Sequence, residues 1–244
     1  MVLLLALLFF AIAALYASVG SGGGSGYLAV MGLAGVAPEL MRPTALVLNI
    51  LVAGIGTWKY VRAGHFSARL FWPIALMSVP FAFWGGSLSL PTALYRPLVG
   101  LVLLYAAFRL WWGTRAAAPP RPGRARLPLW AALLVGAVIG LVSGLLGIGG
   151  GIFLGPLLLL AGWAGTRQTM GITAAFVLVN SAAGLLGLLA TAPVLPPGIA
   201  LWLPAVAAGG WLGAEYGSRR LDSLVLRRLL ALVLVLGGVR MFLG

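Results

Sequence analysis

Polar positions are so sparse along this chain that the apolar runs between them define its elements. Runs occupy residues 2–19, 27–37, 41–60, 70–88 and 97–112, then residues 127–146, 152–164, 169–190, 199–216 and a last run ending at residue 243. Apolar runs of about 20 residues read as bilayer-spanning helices. The pattern therefore predicts an all-α integral membrane protein. Residues 114–126, rich in Pro, Ala and Arg, form the one obvious linker and divide the chain into repeats 1–113 and 127–244.

In each half a long run is followed by a glycine cluster and a short run. The clusters are Gly20-Ser21-Gly22-Gly23-Gly24-Ser25-Gly26 and Gly147-Ile148-Gly149-Gly150-Gly151, and four of their glycines match at a spacing of 127. Leu101-Val102-Leu103 and Arg109 match Leu232-Val233-Leu234 and Arg240 at a spacing of 131, as do Pro73 with Pro204 and Arg96 with Arg227. A few residues are thus inserted around the loop after the middle helix. The first run resembles a signal peptide but lacks a positive n-region. Its pattern recurs at residues 127–151, where no signal peptide can stand, so it reads as mature structure.

Charge sets the topology. If each glycine cluster tips a hairpin and three crossings follow it, the halves are inverted. Thirteen basic residues then fall on or near one face (Lys59, Arg62, Arg69, Arg109, Arg115, Arg121, Arg124, Arg126, Arg167, Arg219, Arg220, Arg227 and Arg228), with Arg42, Arg96 and Arg240 on the other. The alternative, in which the first run of each half crosses and the short helix only dips back, splits them nine to seven. The positive-inside bias favours the inverted arrangement, with a cytoplasmic linker and both termini outside the cell membrane. A tilted crossing followed by a short crossing helix has the same parity as a re-entrant hairpin.

The same loops give the first pointer to chemistry. Glycine permits positive φ and leaves backbone amides bare. Irregular backbone at membrane depth is tolerated only when buried in protein or lining a wet cavity. The short helices begin just after the glycines, so their N-termini, with bare amides and partial positive charge, suit an anion near the midplane. The candidate set is Ser21, Gly22, Gly23, Gly24, Ser25 and Tyr27 from the first loop, Gly149, Gly150 and Gly151 from the second, and Thr44, Asn49, Thr173, Asn180 and Ser181 from the following helices. Against each hydroxyl stands the plainer reading that it bonds its own backbone or a neighbouring helix.

A Gly-rich loop, a short apolar helix, a break and a helix with Thr and small or polar residues occur twice, as residues 20–26 with 44–54 and residues 147–156 with 173–184. This pattern resembles the sulfite exporter family TauE/SafE over nearly the whole chain. The resemblance implies an inner-membrane, multi-pass transporter of sulfur-containing anions such as sulfite or organosulfonates. The first loop is more polar than the second, with Ser21, Ser25 and Gly26 where the second has Ile148, Ile152 and Phe153.

Other classes fit less well. A net charge of +13 could suggest nucleic acid, but the basic residues sit in short loops between apolar runs. A cation carrier would call for carboxylates at depth, whereas Glu39 and Glu215 lie near segment ends and are expected to pair with Arg42 and Arg219 at the surface. An enzyme would need a nucleophile and base or a metal cluster, and with no cysteine and a single histidine, His65, no such group or cofactor is indicated. A channel or carrier for another small anion or a neutral solute remains the alternative. The partners implied are a small anion and the lipid bilayer, with a coupling ion (proton or sodium) and a homo-oligomer left open. Arg109 and Arg240, each near a helix end, are expected to anchor at the headgroups or line a vestibule.

Overall fold

The computed structural model describes residues 2–112, 127–191, 193–219 and 224–243, so the linker 114–126 and Asp222 lie outside the described residues. Side chains at positions 110, 112, 218, 219 and 224–230 are likewise not described, among them those of Arg219, Arg227 and Arg228. The described residues form helices and no strand. In chain order these are α1 (Val2–Ser18), α2 (Gly24–Leu33), α3 (Pro38–Arg62), α4 (Ala68–Ser87), α5 (Thr92–Trp112), α6 (Leu129–Leu146), α7 (Gly151–Leu160), α8 (Thr166–Leu188), a 3₁₀ turn at Leu189–Thr191, α9 (Ile199–Arg219) and α10 (Leu224–Leu243). Four spans among them are long and apolar enough to cross a membrane: Pro38–Arg62, Ala68–Ser87, Leu129–Leu146 and Thr166–Thr191.

The short helices α2 and α7 both have ten residues, about 15 Å each, too little to cross alone. Both begin after a glycine in the left-handed region, Gly23 at φ 100° and Gly150 at φ 80°. Both end alike: Gly35 (φ 70°) and Gly162 (φ 67°) let the chain reverse, while Val36 N–H bonds the Met31 carbonyl and Trp163 N–H that of Leu158. This is the Schellman closure, which needs an αL residue after the last helical turn. The first turn of α2 folds back along α1, with the Tyr16 and Ser25 hydroxyls 2.6 Å apart and Phe9 edge-on to Tyr27 at 5.4 Å.

Most long-range packing joins the two halves. α1 lies on α9, α4 on α6, α5 on α10 and α3 on α8, with further contacts of α3 to α9 and of α4 to α8. Exchanging α1–α5 for α6–α10 swaps the α1–α9 pair with α4–α6 and the α3–α9 pair with α4–α8, and maps α5–α10 and α3–α8 onto themselves. The tightest contacts use small residues four apart, which let helix backbones approach. Gly136, Gly140 and Gly144 of α6 lie on the backbone of Ile74, Ser78 and Ala82, and Gly209, Gly213 and Gly217 of α9 lie on that of Phe10, Ala14 and Ser18. α3 and α8 run antiparallel, since Gly56 meets Ala174 while Gly184 meets Leu46.

Two expectations about charge are corrected. Arg42 does not pair with Glu39 at the surface. It is buried, and its guanidinium donates to the carbonyls of Gly85, Gly86 and Leu88 at the end of α4 and of Gly144 in α6, at 2.6–3.1 Å. The carbonyls of Gly85, Gly86 and Leu88 stand at the negative end of the α4 dipole, and that of Gly144 is in the last turn of α6, so an inward cation is the stronger arrangement. The Arg219 side chain, the expected neighbour of Glu215, lies outside the described residues; within them Glu215 pairs with Lys59 of α3, whose ammonium also lies 3.9 Å from the centre of the Trp211 ring. Lys59 was read as part of a basic loop, but it falls inside α3 and is buried.

Candidate functional site

The two glycine loops meet where α3 and α8 cross. A Cβ on Gly22 would lie 2.6 Å from Asn49 Oδ1 and 2.7 Å from Val177, and one on Gly149 would lie 2.7 Å from Val177 and 3.1 Å from Asn49 Nδ2. Gly24 approaches the Ile148 carbonyl of the opposite loop to 2.6 Å, and Gly151 approaches Ser21 Oγ to 2.9 Å, measured in the same way. Only residues without side chains allow this approach. Asn49 Nδ2 donates to the Gly147 carbonyl at 3.5 Å.

The structure brings the candidate residues together but divides them by what their polar atoms do. Thr44 donates to the Leu40 carbonyl of its own helix at 2.6 Å, Asn180 Nδ2 to that of Phe176 at 2.8 Å, and Ser25 is held by Tyr16. The plainer reading applies to those contacts. By contrast, Tyr27 Oη, Asn49 Oδ1, Thr173 Oγ1, Asn180 Oδ1 and Ser181 Oγ are buried with no hydrogen-bond partner in the protein, as are Ser143 Oγ and Thr169 Oγ1. Buried polar atoms in native proteins are almost always bonded, so such a cluster needs a partner. Ser181 sits against Gly149, and Ser143 and Phe176 against Gly150.

A cavity of about 190 Å³ opens beside the loops, space for several water-sized groups. Its wall includes Ser21 of the first loop, Gly151 and Gly155 of α7, and Thr166, Thr169 and Thr173 of α8. The first turn of α7 therefore borders it: the Phe153 and Leu154 amides bond the Gly150 carbonyl, while Gly151 and Ile152, at the start of the turn, line the cavity, where helix amides have no intrahelical acceptor. Arg109 of α5 also lines the cavity, and its Nε is buried without a partner. Of the two places expected for this side chain, the headgroups or a vestibule, it takes the wall of a cavity. Sequence reasoning singled out Thr173 and passed over Thr166 and Thr169, although the spacings of three and four put all three on one face of α8.

A larger cavity, about 320 Å³, lies between the starts of α3 and α5 and the end of α8. Glu39 and Arg42 both line it. The Arg42 guanidinium is committed to four carbonyls, and the exposed Glu39 carboxylate repels an anion. This second cavity is the poorer anion site.

Comparison with known proteins accords with this architecture. The model of the family "Sulfite exporter TauE/SafE" matches residues 5–241. The chain is 43% identical over 243 residues to the "Probable membrane transporter protein y4hK" of Sinorhizobium fredii (strain NBRC 101917 / NGR234), covering 97% of this chain and 96% of that protein. It is 29% identical over 224 residues to the "Probable membrane transporter protein ORF9" of Sinorhizobium sp, covering 88% of this chain and 82% of that one. No solved structure matches. With loops, short helices and span all inside the matched region, the chain is a membrane transporter, not an enzyme, and belongs to the TauE/SafE sulfite exporter family.

Proposed function

We propose that the chain carries small sulfur-containing oxyanions, sulfite or short organosulfonates, across the cell inner membrane, binding them where the two glycine loops meet. The observation that carries this reading is the cavity in which Ser21, the first turn of α7 and the unpartnered Thr169 and Thr173 hydroxyls converge. An oxyanion offers several acceptor oxygens and no donor when fully ionised, and this wall offers amide and hydroxyl donors. Among the described residues it has no carboxylate, which would select a cation.

The reading takes the chain as two inverted repeats, 1–113 and 127–244, each a glycine-tipped hairpin followed by three transmembrane helices. Three observations support it: the equal lengths of α2 and α7, their matched αL glycines, and helix pairs that map onto one another when the halves are exchanged. Such repeats place a substrate between broken helices near the midplane.

The experiment is flux in proteoliposomes loaded with sulfite, thiosulfate, sulfate, isethionate or a neutral solute of similar size. Saturable flux of sulfite or the sulfonate, competed by the other, is expected. Flux of the neutral solute alone, or of none of the panel, overturns the reading.

A further inference from the structure

We propose that Arg109 is the fixed positive charge that draws the anion into the cavity between α5, α7 and α8. This rests on the anion reading above and deepens it by naming the residue that selects for charge.

Three features of the structure converge on Arg109. Its Nε is buried without a protein partner, whereas the other inward arginine, Arg42, has its donors on four carbonyls. Arg109 as a whole is half-buried, and an Nε–H withheld from both water and protein is poised for an acceptor that arrives with a ligand. The wall facing it carries the Thr169 and Thr173 hydroxyls, both at least 95% buried and both unpartnered. Finally, among the described residues no acidic side chain lines this cavity to neutralise the arginine.

The second half places an arginine likewise. Arg240 matches Arg109 at a spacing of 131 and lines a separate cavity of about 70 Å³ with Gly32, Pro38, Met41 and Arg96. Gly32, Pro38 and Met41 stand where the first cavity has Leu159, Thr166 and Thr169. The two cavities lie toward opposite ends of the helix bundle, since Arg96 and Arg109 are thirteen residues apart on α5, about 20 Å. The smaller cavity lacks the hydroxyl wall, having Pro38 and Met41 in place of two threonines, so Arg240 serves as an internal control.

The chain has no cysteine, so Thr166→Cys places a single thiol at the exposed mouth of the cavity. The purified full-length variant is reacted with an anionic reagent, 2-sulfonatoethyl methanethiosulfonate, and a cationic one, 2-aminoethyl methanethiosulfonate. The ratio of the two rates is divided by the ratio for a free thiol. We expect the anionic reagent to be favoured by about tenfold, as for ligands steered into a charged cleft. That preference should vanish with Arg109→Gln, persist with Arg109→Lys and persist with Arg240→Gln. If Arg109→Gln does not fold, Arg109→Met, which keeps the alkyl packing of the stem, makes the same comparison.

An unchanged preference in a folded Arg109 variant, or an equal loss with Arg240→Gln, overturns the assignment. Reagent selectivity does not depend on transport. Failure of every anion in proteoliposomes would therefore sink the functional reading alone, and loss of selectivity in wild-type background would sink the role of Arg109 alone.

Discussion

Asn49 of α3 and Val177 of α8 stand between the two glycine loops, and Gly22 and Gly149 each rest on both. At this otherwise matched contact one half supplies an amide and the other a hydrocarbon. The Asn49 Oδ1 has no partner, and its Nδ2 has only a long bond to Gly147. Replacing a poorly bonded buried amide by a similar apolar shape is nearly neutral for folding, within about 1 kcal/mol. Asn49→Val is therefore expected to keep its membrane level and thermal stability while weakening anion binding tenfold or more. Sulfite-dependent thermal stabilisation in detergent measures this, and a wild-type response in Asn49→Val would remove the amide from the site.

Arg42 differs in kind from Arg109. Its loss strands the carbonyls of Gly85, Gly86 and Gly144 inside the protein as buried acceptors without this donor, and frees the part-buried carbonyl of Leu88. Arg42→Gln is expected to cost about 4 kcal/mol and to empty the membrane of folded protein. Arg42→Lys should not rescue it, because an ammonium lacks the planar fork that reaches several acceptors. Equal membrane levels of Arg42→Lys and wild type, by in-gel fluorescence of a fusion, would contradict this structural role.

The Lys59–Glu215 pair ties α3 to α9 across the two halves. The lysine side chain is 5% exposed but the glutamate 40%, so solvent screens part of the attraction. Lys59→Met is expected to destabilise by about 1–2 kcal/mol, read as a lower midpoint in detergent. Glu215→Gln should cost less than Lys59→Met, because the lysine is the buried member of the pair and also packs on Trp211. A larger loss with Glu215→Gln would show that the carboxylate, not the buried lysine, holds the contact.

These charged residues show where sequence stops being informative. The glycine loops were legible because φ > 0 at Gly20, Gly23, Gly147 and Gly150 demands glycine, and such a demand repeats visibly at a spacing of 127. The helices were legible because a bilayer requires long apolar runs. What could not be read was which face of each run looks at protein and which at lipid, since a helix that is apolar all round has little amphipathic signal. Arg42, Lys59 and Arg109 all turn toward protein for that reason without notice. Nearest-neighbour spacing pointed instead to Glu39 as the partner of Arg42. The stripes Gly136-Gly140-Gly144 and Gly209-Gly213-Gly217 carried a usable signal, small residues every fourth position, that the loops overshadowed.

The hairpin scheme predicts an orientation for the chain from its basic residues, thirteen on one face against three on the other. Residues 114–126 and 217–228 are expected to face the cytoplasm, with residue 244 outside. α5 then leads the Arg109 end of its cavity toward the cytoplasmic side. A cysteine introduced at position 120 should react with an impermeant maleimide only after the inner membrane is opened, and one at position 244 before. Labelling at 120 from the periplasmic side would reverse the scheme.

The loops themselves allow a test that separates backbone strain from the site. Gly23, Gly150 and Gly35 all hold positive φ, at 100°, 80° and 70°, so alanine at any of them carries the left-handed penalty of about 1–2 kcal/mol. Around Gly35 nothing lies within 4 Å of an added Cβ, and strain is the whole effect there. At Gly23 the same atom meets the Tyr27 ring at 2.8 Å, and at Gly150 it meets Ile139 at 2.8 Å and Phe176 at 2.9 Å. Gly35→Ala should thus lower the thermal midpoint yet keep the full upward shift produced by sulfite, since that shift reports binding to the folded state by mass action. Gly23→Ala and Gly150→Ala should lower the midpoint further and lose most of the shift, because the first turns of α2 and α7 must move. Amides do not titrate, so across pH the wild-type shift should follow only the singly and doubly charged forms of sulfite itself. If Gly23→Ala and Gly150→Ala fold and respond to sulfite as fully as Gly35→Ala, the glycines serve helix packing and the anion binds elsewhere.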